Sequence, residues 1–442
     1  MGQSFTVEQV LSLAPDASAA SAGKELASPR KWVSLGEGGG ALWGECQGSG
    51  KTPYQVRVDL SEPAFKCSCP SRKFPCKHGL GALLLWASSP SSFTAGEPPP
   101  WVAEWLDARA GRAAKKAERA EEGPKAPADP AAAAKRAEQR EARVAAGVDE
   151  LELWLRDLAR RGLAAVKAEP AAFWQRMAAR LVDAQAPGLA RQARLLSEHC
   201  ASGGGWEDRA VRQVGRIHLL IGAWRRVQSL PPDTRDDVRA QVGFTQSKEE
   251  LLAAPGVRDR WFAWAQYAEE DGDGLRVQRT WLAGLESGRM ALVLSYARPK
   301  GAFDYAFPAG KAHEAELVFY PSGAPLRAIE KSRGAAVGRG PAGGFASLDE
   351  GLAAYGAAVG RNPWIELFPM VVRDTRLAVH NGRFLVVDSA GRCLPVRGRD
   401  AELWRAFAFT GGHPATVFGE WDESTLRLLA LDAGGRHFPV GV

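Results

Sequence analysis

Between positions 67 and 78 the chain reads Cys67-Ser68-Cys69-Pro70-Ser71-Arg72-Lys73-Phe74-Pro75-Cys76-Lys77-His78. Three of its six cysteines and one of its seven histidines fall within these dozen positions. Thiolate and imidazole are donors that zinc prefers, and a tetrahedron of four closes a structural site. The spacing supports Cys67, Cys69, Cys76 and His78 as that set. In an extended strand, residues two apart face the same side, so Cys67 and Cys69 can present both sulfurs to one ion. Cys76 and His78 are also two apart, which in a helix puts them on nearly opposite sides. Cys76 therefore belongs just before a helix and His78 in its first turn. The helix N-terminus then sets positive partial charge beside the thiolates. A catalytic zinc keeps an open position and a nearby carboxylate base. With all four positions filled the site reads as structural, and no catalytic residue is assigned.

The surrounding elements must deliver that geometry. Residues 32–35, 41–47 and 54–60 read as short strands. In the last, Tyr54, Val56, Val58 and Leu60 alternate with polar residues. Residues 65–69 continue after Pro63, and Leu80, Leu83, Leu84 and Trp86 mark a short apolar helix after Cys76. Residues 5–13 form a further short helix ended by Pro15. Gly48-Ser49-Gly50-Lys51-Thr52 imitates the end of a phosphate loop. Position 45 is Glu where that pattern needs Gly, and a strand rather than a helix follows, so a hairpin turn is expected.

The pattern C-x-C-x(6)-C-x-H, after an alternating strand and before Gly79-Leu80-Gly81, resembles a SWIM zinc finger. The resemblance covers about residues 50–88 and carries over to Cys67, Cys69, Cys76 and His78 without departure. It implies a structural Zn2+ and a module that binds DNA or protein partners. Lys66, Arg72, Lys73 and Lys77 flank the ligands, offset part of the site's net negative charge and are the candidate nucleic-acid contacts. The overall layout is similar to bacterial SWIM-domain proteins, which implies as an alternative an adaptor for a MoxR-type AAA+ ATPase and von Willebrand factor A-domain system.

The rest of the chain sets the context. A length of 442 residues favours about three domains. The expected fold class is α+β multi-domain: a ββα-type finger module (1–88), a flexible Ala/Arg/Lys/Glu-rich linker (89–147), an all-α bundle (148–270) and a mainly antiparallel β domain (275–442). In the bundle, Val148, Leu151, Leu155 and Leu158 recur at helical spacing, as do Leu189, Ala193 and Leu196. The aromatics of 256–268 are taken with this helical part, as core. Glu269 to Gly274 lacks the ligand spacing of a calcium loop and reads as a polar turn. Beyond 275 the period moves toward two. Residues 388–392 and 432–436 each precede a short strand ending in Pro-Val, which hints at an internal β repeat. Pocket chemistry in this β domain is a second alternative function, although no catalytic constellation or small-molecule substrate is visible. The remaining cysteines, Cys46, Cys200 and Cys393, read as small buried side chains.

No apolar run reaches the roughly 20 residues of a membrane span, and the N-terminus lacks a signal-peptide pattern. With so few cysteines, a reducing, cytoplasmic setting is expected. The net charge of +6 permits a nucleic-acid partner without requiring one.

Overall fold

The computed structural model describes residues 5–440 other than 12, 16, 49–51, 61–63, 72, 122–129, 271–274, 298–302, 304–306 and 339–342. The linker break at Gly123, Pro124 and Pro127, most of the phosphate-loop look-alike and the end of the acidic turn at 271–274 lie outside the described residues.

The finger module opens with helices α1 (Val7–Leu11) and α2 (Ala17–Leu26). Strands β1 (Trp32–Gly38), β2 (Ala41–Cys46), β3 (Tyr54–Asp59) and β4 (Ala64–Cys67) follow as an antiparallel meander. Helix α3 (Lys77–Ser88) and the short β5 (Thr94–Ala95), parallel to β1, complete it. Leu42, Val56, Val58, Phe65, Leu80 and Leu83 form the core between sheet and helix. A Cβ on Gly81 would sit 2.7 Å from Leu26 Cβ, and one on Gly23 2.9 Å from Leu80 Cβ, so α2 crosses α3 at a glycine contact. The small residues of α2 (Ala17, Ala19, Ala20, Gly23) were the sequence signal for this crossing.

Residue 88 is not the edge of this unit. Helix α4 (Pro100–Glu121) lies on the sheet, with Val102 and Trp105 buried. Arg57 donates to the Trp101 carbonyl and packs its guanidinium on that indole, and Arg109 pairs with Asp59 at 3.0 Å. The first third of the expected linker is thus part of the finger module. Its last third belongs to the bundle, because α5 (Pro130–Arg161) runs unbroken through position 147 and Val144 is fully buried.

Helices α6 (Leu163–Lys167), α7 (Ala171–Asp183), α8 (Pro187–Ala201), α9 (Trp206–Arg225) and α10 (Pro232–Val242) pack with α5 around Leu151, Leu155, Trp174, Leu181, Leu196, Ile217 and Ile221. These are the residues at helical spacing in the sequence. After α11 (Lys248–Ala253), which opens on a Ser247–Glu250 capping box, no further helix occurs among the described residues until position 348.

The aromatics of 256–268 are strand, not helix. Strand β6 (Val257–Glu270) joins β7 (Arg276–Gly284), β8 (Met290–Ala297), β9 (Ala312–Phe319) and β10 (Arg327–Val337) in a closed barrel. A bulge at residues 263–265 shifts the facing of β6. Trp261 therefore fills the barrel, whereas Phe262, Trp264 and Tyr267 belong to the core outside it. Unbroken burial on both faces removed the alternation that marks a half-buried strand.

The barrel interior also holds His313, 1% exposed, with neither ring nitrogen hydrogen-bonded. Burial, with Arg333 and Lys311 nearby, pushes its pKa down from 6.5 to about 4. The unfolded chain therefore binds a proton that the folded chain refuses between those values. Stability should be level above pH 6.5 and fall as pH drops toward 4, by about 3 kcal/mol from this group. Denaturant titrations between pH 7 and 4 should show that slope, and His313→Gln should flatten it.

The last unit is built twice from one pattern, a helix and three strands. Helix α12 (Leu348–Arg361) precedes β11 (Phe368–His380), β12 (Arg383–Val387) and β13 (Cys393–Arg397). Helix α13 (Asp400–Thr410) precedes β14 (Ala415–Trp421), β15 (Leu426–Ala433) and β16 (Arg436–Pro439). The sheet order β13-β12-β11-β14-β15-β16 reads alike outward from the central β11–β14 pair. The recurrent Asp-x-x-Gly-Arg segments fall at equivalent places, the β12–β13 and β15–β16 turns. One face of this sheet buries both helices, and the other packs on the barrel, where Trp264 stacks on Phe418 at 5.5 Å between centroids. At that junction Glu420, fully buried on β14, accepts from Tyr267 Oη at 2.6 Å and Trp281 Nε1 at 2.7 Å.

Candidate metal centre

Strand β4 ends at Cys67, directly opposite Val56 of β3. The ladder carries on one step further: Ser68 N donates to the Gln55 carbonyl at 3.0 Å, and Ser68 Oγ accepts from Gln55 N at 2.9 Å. Ser68 is thereby turned toward β3. Cys69 N points back at Cys67 Sγ at 3.5 Å.

The return segment ends on Cys76, which has extended backbone (φ −75°, ψ 165°) and is the N-cap of α3. Its sulfur accepts from Gly79 N at 3.5 Å, as an N-cap side chain should. His78 is then the second residue of the helix, with 5% of its surface exposed. A Cβ on Gly79 would come within 2.9 Å of Phe65, so the absence of a side chain lets the helix start close to β4. The Tyr54 ring lies 5.0 Å from the imidazole and limits how the ring can turn.

The four donor atoms lie within 4.8 Å of one another. His78 Nδ1 is 3.8 Å from Cys67 Sγ and 4.0 Å from Cys76 Sγ. A zinc tetrahedron with bonds of about 2.3 Å to sulfur and about 2.0–2.1 Å to nitrogen has edges of about 3.6–3.8 Å. The donor set therefore fits Zn2+ in both chemistry and size, with Nδ1 as the imidazole ligand atom. When bound, the ion would tie the β4 end to the α3 start. Thiol hydrogen bonds from Cys67, then Cys76, hold the Cys69 sulfur well below the usual thiol range, while Cys67 is held up by its bonds to the other two thiols and by burial. Metal entry must displace the protons held on the other sulfurs, so affinity should rise with pH.

Of the flanking basic residues, Lys73 and Lys77 are exposed around the site, Lys66 is exposed on β4 but faces the other side of the sheet, opposite Arg57, and Arg72 lies outside the described residues. Sequence reading missed Arg30 and Lys31, exposed on the turn before β1. The carbonyl of Lys31 accepts from Cys46 Sγ at 3.4 Å, and burial pushes that thiol's pKa up against the opposing charges of Lys77 and Lys31. Cys46 is buried beside the site but outside the four-ligand cluster. Cys200 is buried as expected, whereas Cys393 is exposed at the start of β13.

No characterised protein and no solved structure matches the chain. Two family models do. Residues 54–87 match the SWIM zinc finger, a span that begins with β3 and contains all four ligands. Residues 139–242 match the SWIM-associated four-helix bundle domain, a span running from α5 through α10. With the donor tetrahedron in place, these matches establish that the chain carries a SWIM zinc finger followed by its associated helical bundle.

Proposed function

We propose that the finger binds nucleic acid, with zinc as a clamp and the surrounding basic rim as the contact surface. The observation that carries this is charge. From residue 64 to residue 96 the chain has four basic residues and no acid. Lys73 and Lys77 are exposed about the metal site, Lys66 is exposed on the strand that ends at Cys67, and Lys31 lies with Lys77 beside the neighbouring Cys46. Lys and Arg around an acid-free loop form the footprint that phosphate contacts leave.

In this reading the contact does not run through helix α3. Helix α3 is buried from His78 to Leu85, between the sheet on one side and α2 on the other. It has no free face to lay in a major groove. Contacts come from the rim, which favours phosphate over base edges and hence low sequence specificity. In this reading the metal performs no catalysis.

Fluorescence anisotropy with labelled duplex DNA across about 50–200 mM salt tests the reading. Affinity should fall with a log–log slope of about −0.9 for each phosphate contact. Replacing Lys66, Lys73 and Lys77 by Ala should weaken binding and make the slope shallower by about three contacts' worth, with the zinc content unchanged. Binding that ignores salt, or none, would overturn the assignment.

A further inference from the structure

The barrel offers a second surface. Its strands are hydrogen-bonded in the order β6-β7-β8-β10-β9 and back to β6, with β10 parallel to β8 and the other neighbours antiparallel. This is the strand order of the OB barrel. That architecture presents the outer face of its second and third strands, with the loops after the first and fourth, to oligonucleotides or oligosaccharides. Here the strands are β7 and β8, and the loop after the fourth spans residues 320–326. Topology by itself names no ligand, so the residues must decide.

Ala291, Val293 and Ala297 are buried, which leaves Leu292, Leu294 and Tyr296 on the outer side of β8. The half of the face nearest β6 is occupied, because Trp281 packs edge-on against Phe418 of the C-terminal sheet. Leu292 packs on the same outer cluster, so the free part of the face lies beyond it, toward the end of β8. Tyr296 is 51% exposed there, opposite Val277 of β7. Toward the other end Arg327 pairs with Leu292, and its guanidinium stands 4.4 Å from the centre of the Tyr320 ring. From position 292 to position 296 a strand rises about 13 Å. The two tyrosines thus make separate stacking stations, far enough apart for about two extended nucleotides.

The charge on these segments selects between the two ligand classes. Residues 275–285, 287–297 and 318–329 hold four arginines and no acid. Arg279 is paired with Glu269 of β6 at 3.3 Å, whereas Arg327 opens β10 and Arg289, just before β8, lies over Phe319 of β9. An uncharged sugar has no use for this positive charge, whereas a phosphate backbone does. The loop carrying Tyr320 is fixed in place: Gly323 N donates to Asp237 of α10 at 2.9 Å, and Asn362 Nδ2 to Ser322 Oγ at 3.2 Å. A held loop needs little ordering on binding.

We propose that this face, with Tyr296 on β8 and Tyr320 and Arg327 at the entry to β10, binds single-stranded nucleic acid by base stacking and phosphate pairing. It is separate from the finger rim and does not depend on it.

The test uses the full zinc-loaded chain and a fluorescein-labelled oligo(dT), read by anisotropy. Tyr296→Ala should weaken binding about tenfold, the loss of one stacked base, and Tyr296→Phe should restore it. Arg327→Ala should make the salt slope shallower by about one unit. Tyr296 is half in solvent, so neither of its variants should alter the melting temperature, and duplex affinity and zinc content should stay as in the wild type. The proposal is overturned if the intact chain does not bind oligo(dT). It is also overturned if Tyr296→Ala and Arg327→Ala bind like the wild type, or if only the lysines of the finger rim affect binding.

Discussion

Cys76→Ser should take zinc from about one ion per chain to none and unfold the finger module while the helical bundle stays folded. The substitution separates two roles that Cys76 holds at once, metal ligand and N-cap of α3. Serine caps a helix well, so the cap survives the change and the thiolate does not. What is lost is the ion's link between the end of β4 and the start of α3. Structural zinc sites supply about 10–16 kcal/mol of apparent binding free energy near neutral pH, and in a small module that is folding free energy. Chelation of the wild type should reproduce the variant. Metal analysis and limited proteolysis read the outcome: the finger should become cleavable, while the helices around Trp174 and Ile221 remain protected. Full zinc retention in Cys76→Ser would refute the ligand set.

The second large effect is expected far from the metal. Glu420 lies wholly buried between the barrel and the C-terminal sheet, accepting from Tyr267 and Trp281. Its Oε2 is 3.7 Å from Arg427 Nη1, and Arg427 in turn pairs with Glu269 at 2.6 Å. Burial, then the neighbouring Glu420 charge, pushes the Tyr267 hydroxyl above its ordinary pKa, so it stays a donor at every working pH. Glu420→Ala strands a phenol and an indole donor in a dry interface and leaves a cavity. Breaking a buried charged network from one side costs about 3–5 kcal/mol. Denaturant unfolding of the full chain should show that loss, with zinc content unchanged. A change below about 1 kcal/mol would mean that water already reaches this junction.

The metal site was legible because its chemistry is local. Four donors, a strand-type pair and a pair straddling a helix start are all contained in twelve residues, and the structure brings them together. The bundle was legible because its helices are buried on one side only, which leaves the spacing of Leu151, Leu155 and Leu158 visible. The linker was misjudged at both ends for one reason: Ala-rich, charge-rich helices look solvated until a partner is known. Nothing near Trp101 or Val144 names the surfaces that bury them. Of the barrel's five strands, β7, β8 and β9 were legible from the shift toward a period of two at 275–282, 289–296 and 314–320, whereas β6 and β10 were hidden. Strand β6 is buried on both faces, and β10 carries Glu330 and Arg333 as a buried ion pair, so neither alternates. Helix α13 was missed because Trp404, Phe407 and Phe409 sit among alanines in a run that mimics strand alternation.

The clamp is a closed tetrahedron of three sulfurs and one imidazole nitrogen. X-ray absorption at the zinc edge of the purified chain measures that shell directly. The expected result is three sulfurs at about 2.3 Å and one nitrogen at about 2.0–2.1 Å, unchanged by added small-molecule ligands. A shell with two sulfurs, or with an exchangeable oxygen in the fourth position, would contradict it and make the metal a reactive centre instead of a clamp.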